Sequence, residues 1–344
     1  MPIDLAATRP LGRTGLGLPP FGFGAAPIGG LLSVVGEEDA RAALEAAWAG
    51  GIRYFDTAPW YGLGLSEHRT GGFLRGKPRG EFVLSTKVGR YLTRPEDPAI
   101  HDRGPWVGGL SFKVNFDYTH EGILRAYEQS LARLSLTDVD ALVIHDLDHG
   151  YHGDAALARH LADLKGGGLR ALQELKGRGE IGAVGIGVNT LRALDEVVPE
   201  VEVDFILLAM PYTLLDQASL RTGMARCEAE GIGVVIGSPF ASGVLAKGSK
   251  GGGNYDYGPA PEEVVRKVRG IEEACARHGV TLPAAALQFP LAHPAVASVV
   301  SGAKRPDQVE VNLRALAEEI PSAFWADLKG AGLIDGAAPV PGDA

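Results

Sequence analysis

Three titratable side chains stand at the ends of short apolar runs: Asp56 after Arg53-Tyr54-Phe55, Lys87 after Phe82-Val83-Leu84-Ser85-Thr86, and His145 after Leu142-Val143-Ile144. Tyr61 follows in the turn Pro59-Trp60-Tyr61-Gly62, which can fold back over the same opening as Asp56. Each has an ordinary explanation when taken singly. An Asp after a strand caps a turn, a Lys at a strand end meets water, a Tyr in a turn packs, and a strand-end His is structural as often as functional. Together the four types make chemical sense. A phenol ordinarily titrates near about 10, too high for easy proton exchange at neutral pH. An ammonium beside it favours the phenolate, and a carboxylate can hold that ammonium in place. An imidazole can hydrogen-bond a reacting oxygen or relay its proton. Tyr61, Lys87, Asp56 and His145 thus compose a proton donor and acceptor for interconverting a carbonyl and an alcohol. The set contains no oxidant, so the hydride must pass to or from a cofactor.

The elements that must carry these residues alternate in kind along the chain. Strands are expected at 21–25, 53–56, 82–87, 141–145, 183–188, 205–208, 233–237 and 297–300, several of them nearly continuous apolar runs of the kind buried on both faces. Helical patterns lie between them, at 37–49, 121–134, 191–198, 218–230 and 262–278. Eight such units fit a (β/α)8 TIM barrel of class α/β, read as one domain across 1–344. Reactive groups in a barrel gather at the C-terminal strand ends, where Asp56, Lys87 and His145 stand. A doubly wound sheet is the competing fold and wants a glycine fingerprint after its first strand. Gly62-Leu63-Gly64-Leu65-Ser66-Glu67 lacks the third glycine and reads instead as a loop entering a helix capped by Ser66. The segment 11–16 reads as a hairpin closing the barrel bottom. Connections at about 89–119, 146–168 and 246–261 are long enough to be either disordered or functional lids, and the first, with Trp106, Phe112, Phe116 and Tyr118, is too aromatic for a simple linker.

Composition narrows the function classes. The chain has 344 residues, 22% charged and 45% hydrophobic, with a net charge of −9. Its acidity and the lack of any Lys/Arg-rich run point away from nucleic-acid and anionic-membrane partners. The uncharged stretch 280–300 is broken by Pro283, Pro290 and Pro294, so it reads poorly as a membrane span. Cys227 and Cys275 make neither a disulfide framework nor metal-site spacing, as expected of a reduced, cytoplasmic protein. Glycine supplies 48 residues, about twice the average usage of roughly 7%, consistent with many tight connections.

With these residues in view, Phe55-Asp56-Thr57-Ala58-Pro59-Trp60-Tyr61-Gly62, Ser85-Thr86-Lys87-Val88-Gly89 and Val143-Ile144-His145-Asp146 resemble the aldo-keto reductases. The likeness continues through 184–189, Pro211-Tyr212, 237–245 and 301–312, covering roughly residues 9 to 320. It implies a (β/α)8 barrel, a nicotinamide cofactor, and Asp56, Tyr61, Lys87 and His145 as the catalytic tetrad. It further implies that Asn189 holds the carboxamide and Tyr212 stacks on the nicotinamide. Ser238, Phe240, Gly243 and Leu245 would wrap the pyrophosphate, and Gly302, Gln308 and Asn312 would meet the adenosine. Met210 stands where many members carry Gln or Asn, and Val311 where an acidic residue is common. Lys304 and Arg305 remain near enough to pair with a phosphate. The cofactor is NAD or NADP, with NAD favoured.

The insertion bearing Trp106-Val107-Gly108-Gly109-Leu110 and the run His145-Asp146-Leu147-Asp148-His149 resemble the branch containing D-threo-aldose (L-fucose) 1-dehydrogenases and pyridoxal 4-dehydrogenase. That branch implies a small polar substrate, a sugar or similar ring, oxidised at a hydroxyl carbon, with Trp60 and Trp106 as its aromatic walls. Core packing is the alternative for both tryptophans. Three rivals stand beside this reading: a general NADPH-dependent carbonyl reductase of the same fold, a non-catalytic cofactor-binding barrel, and a metal-dependent hydrolase. The last would use His145, Asp146, Asp148, His149 and His152. Ligands crowded into one loop after one strand make a poor cage, so no metal is expected. Oligomeric state is not expressed in the sequence.

Overall fold

Runs such as Ala141–Ile144 and Ala183–Val188, buried at every position, can only be strands covered on both faces. The computed structural model describes residues 2–256 and 258–342. Its barrel strands are β1 (Phe21–Gly24), β2 (Tyr54–Asp56), β3 (Val83–Val88), β4 (Ala141–Ile144), β5 (Ala183–Val188), β6 (Phe205–Ala209), β7 (Gly233–Gly237) and β8 (Val296–Ser301). All pair in parallel, in sequence order, and β8 closes on β1 through Val299 opposite Phe21. Alternation along each strand separates two cores. Tyr54, Val143, Leu207 and Val235 fill the barrel interior, while Phe55, Leu142, Ile144 and Ile236 face the surrounding helices.

The N-terminal hairpin pairs Arg9–Pro10 with Gly17–Leu18 and sends Leu11 and Leu18 into the interior cluster, sealing the bottom. Gly12 makes this possible. Its φ of 60° is left-handed, and an added Cβ would lie 2.4 Å from the Asp204 carbonyl oxygen.

The long connections are more ordered than their composition suggests. Within 89–119, Arg90–Thr93 pairs antiparallel with Lys113–Phe116. Within 146–168 lies the helix Asp154–Asp163, which runs on through a π turn at Leu164–Gly168. The three glycines there belong to a helix rather than a loop, and one of them is required by close packing: a Cβ on Gly168 would sit 2.2 Å from the Tyr118 carbonyl oxygen. In 246–261, Asn254–Tyr255 pairs with Gly258–Pro259, and residue 257 lies outside the described residues. The stretch 280–300 divides into the helix Leu282–Gln288, a 3-10 turn and β8. Among the described residues no helix is long and apolar enough to cross a membrane.

Ser66 is not a cap. Helix Leu65–Leu74 starts from Gly64 with no side-chain cap. Ser66 instead donates to the Ala25 carbonyl at 2.8 Å and shares a 2.9 Å hydrogen bond with Thr57. That hydroxyl thereby pins the turn after Asp56.

Candidate active site

At the C-terminal mouth, Lys87 donates to Asp56 Oδ2 at 2.6 Å and to the Thr57 carbonyl at 2.9 Å. The pair is 1% and 3% exposed. A buried carboxylate left unmatched would be costly, and Asp56 has a second donor in Ser85 Oγ at 2.7 Å. Ser85 is in turn bonded to Tyr54, at 3.0 Å. The Lys87 ammonium lies 4.6 Å from the centre of the Tyr61 ring, and that ring meets the His145 imidazole edge-on at 5.7 Å. The structure therefore brings Asp56, Tyr61, Lys87 and His145 together on one side of the mouth. Burial first, then the positive charges of Arg90 and Lys87, hold His145 well below the usual imidazole range, so the ring is neutral.

Trp60 and Trp106 also line the cleft, 5.2 Å apart and at 86° to one another. Tyr151, which the sequence reading missed, extends this wall at 5.6 Å from Trp60. Behind it lies another missed residue. Arg90, fully buried, stacks within 5.0 Å of Trp60, Phe116 and Tyr151 and donates to Asp146 at 2.7 Å. Its only sequence signal is a place three residues past Lys87.

The run Asp146-Leu147-Asp148-His149 is occupied with hydrogen bonding. Asp146 accepts from the Asn189 amide at 2.8 Å. Asp148 accepts from the backbone N–H of Asn189 at 2.7 Å and of Thr190 at 3.0 Å. His149 turns outward to Asp154 and Glu196, and His152 packs against Phe116.

From the tetrad a cleft of about 1040 Å³ runs over the ends of β5 to β8. Asn189, Ser238, Phe240, Gly243, Gly302, Lys304, Gln308 and Asn312 line it. Three expected residues do not. Tyr212 is 0% exposed and stacks on Phe289 at 5.6 Å, because Met210 takes a left-handed φ of 77° and turns the chain after β6. Met210 and Pro211 face the cleft instead. Leu245 is buried in the core beneath the turn that precedes it. Arg305 points to solvent and pairs with Asp307 at 3.1 Å.

The cleft's features fit a dinucleotide. Gly187, Ala209 and Gly237 leave its floor flat, with Ala209 opposite Gly237 in register. Ser238, Ala241, Ser242 and Gly243 all take left-handed backbone, a conformation that makes anion-binding concavities. Within that turn, Ser242 Oγ is buried without a hydrogen-bond partner among the described residues, as a donor awaiting a ligand oxygen would be.

Comparison with known proteins agrees with this geometry. Residues 20–332 match the model of the aldo/keto reductase family. The chain is 40% identical over 342 residues to pyridoxal 4-dehydrogenase from Microbacterium luteolum, covering 97% of this chain and 100% of that protein. It is 41% identical over 342 residues to D-threo-aldose 1-dehydrogenase from a Pseudomonas species, covering 96% and 99%. Among solved structures, the holo form of an aldo-keto reductase from Bacillus halodurans superposes with a TM-score of 0.72 at 26% identity, covering 96% of this chain and 97% of that one. The chain belongs to the aldo/keto reductase family of NAD(P)-dependent oxidoreductases.

Proposed function

We propose that this enzyme oxidises the anomeric C1 hydroxyl of a cyclic aldose such as L-fucose or another D-threo-aldose to the lactone, with NAD as the preferred cofactor. The observation that carries the reading is the aromatic corner beside the tetrad. Walls at 86° present a face and an edge to a small ring, and a puckered sugar offers C–H groups on its face and its rim to fill both contacts. Similarity to D-threo-aldose 1-dehydrogenase supports the same substrate class. Similarity to pyridoxal 4-dehydrogenase supports a second reading, oxidation of pyridoxal at the same site.

Tyr61 accepts the proton of the C1 hydroxyl. Lys87, held by Asp56, places its charge where it stabilises the negative charge developing on the phenol oxygen. Neutral His145 donates a hydrogen bond to the substrate oxygen and orients it. The nicotinamide, when bound, supplies the hydride acceptor. Asn189 would hold its carboxamide, the small floor residues would leave room for its ring, and Ser238, Ser242 and Gly243 would cradle the diphosphate, with Lys247 in the same wall. Gln308 and Asn312 would meet the adenosine.

The preference for NAD is supported by how two cations are engaged. Lys304 donates to the Leu31 carbonyl at 2.7 Å and to Ser33 Oγ at 2.6 Å, and Arg305 is tied to Asp307. Neither stands ready for a 2′-phosphate.

The test is absorbance at the reduced-nicotinamide band, with NAD and NADP separately, across L-fucose, D-arabinose, L-galactose, D-glucose and pyridoxal. Fast reduction of NAD by one threo-type sugar is the expected result. A response to pyridoxal alone selects the second reading. Silence on all five with NADPH consumption by simple aldehydes makes the enzyme a general reductase.

A further inference from the structure

His145 has two ring nitrogens in different surroundings. Nδ1 is sealed inside the protein without a hydrogen-bond partner among the described residues. Nε2 lies 3.2 Å from Asp146 Oδ2 but without the alignment of a hydrogen bond, so its proton remains available to a substrate oxygen. A carboxylate oxygen so close repels a lone pair and attracts an N–H. In a neutral imidazole the proton therefore resides on Nε2, and the bare nitrogen is Nδ1.

Asp146 is itself firmly held. Its backbone takes a left-handed φ of 46°, uncommon for a residue other than glycine. Oδ2 also receives the Arg90 guanidinium at 2.7 Å, and Oδ1 receives the Asn189 amide at 2.8 Å. Burial pushes the Asp146 carboxyl above its usual range, and Arg90 first, then Asn189 and Lys87, pull it back. Arg90 is braced by three aromatic rings from the substrate wall and the long insertion. One carboxylate thus touches both the imidazole proposed to orient the substrate and the amide proposed to hold the nicotinamide. Asp148 secures the backbone of the same asparagine.

We propose that Asp146, braced by Arg90, is a positioning residue that sets the Nε2–H tautomer of His145 and locks His145 and Asn189 into one rigid unit. Through it, the group facing the substrate oxygen and the group facing the cofactor keep a constant separation. The proposal rests on the catalytic reading above.

The test is Asp146→Asn, with Asp146→Asn/Arg90→Met as a companion that leaves no buried unpaired guanidinium. Two readouts stand apart from turnover: the 15N imidazole signals of His145 in histidine-labelled protein, and NADH affinity from fluorescence. In the parent protein, NMR should show the Nε2–H tautomer throughout the neutral range. In whichever variant folds, the tautomer preference should be lost, NADH affinity should fall about tenfold, and kcat should fall at least about tenfold. An unchanged tautomer and unchanged NADH affinity in a folded variant overturn the proposal, even if kcat falls. Tyr61→Phe, run in parallel, separates the two claims: if it keeps near-normal turnover, the catalytic reading fails, whatever Asp146 does.

Discussion

On one arc of the barrel mouth β2, β3 and β4 bring up Asp56, Lys87 and His145, all buried, with Lys87 hydrogen-bonded to Asp56 and the neutral His145 ring 3.2 Å from Asp146. On the other arc β5, β6 and β7 bring up Gly187, Ala209 and Gly237, which carry almost no side chain. The same barrel geometry supports both arcs, so the contrast lies in the residue types. Charges removed from water act strongly on a reacting oxygen but demand partners for every polar atom. A floor of small residues contributes no polar chemistry and offers flat room instead. On the proposed reading, chemistry belongs to one arc and cofactor space to the other, and substitutions should divide along the same line.

The largest effect is expected from Tyr61→Phe, which should lower kcat about 10³-fold while NADH affinity, read by fluorescence, stays within about twofold of the parent. Lys87→Met should follow. It strands the Asp56 carboxylate, so besides a large loss of turnover the fold should lose about 3–5 kcal/mol in a denaturant titration. On the other arc, Gly187→Ala should spare stability, because the added Cβ lies at an ordinary 3.5 Å from Val143. It should instead weaken NADH binding about tenfold or more by filling the floor. An equal loss of affinity in Tyr61→Phe and Gly187→Ala would erase the division.

The smallest effect concerns pH, on the charged arc alone. Burial drives His145 down and pushes His152 down to about 4. Their folded values lie below the ordinary 6.5, so the unfolded chain binds protons that the folded protein refuses. Stability contributed this way is full above about 6.5 and is lost as pH falls toward 4. Thermal midpoints should decline over that window, and His152→Asn should flatten the decline.

Asp56, Lys87 and His145 were legible because a titratable side chain ending an apolar strand is conspicuous, and the barrel rule says where such ends meet. The eight strands were legible for the same reason, from apolar runs of the right length. Tyr212 was misplaced because one left-handed residue, Met210, reverses which side of the chain faces the cleft, and nothing in the residue types announces a backbone angle. The glycines at 166–168 suggested a loop, yet they continue a helix, and at Gly168 close packing against Tyr118 leaves no room for a side chain. Arg90 and Tyr151 escaped notice because their roles arise only when the long insertion and the loop after β4 fold against Trp60.

Hydride transfer from C1 of an aldose within this site can be followed with C1-deuterated L-fucose and NAD. Proton NMR of the reduced cofactor should show deuterium at C4 of the nicotinamide, together with formation of the lactone. Reduced cofactor without deuterium, or no reaction with L-fucose or any related aldose, would contradict it.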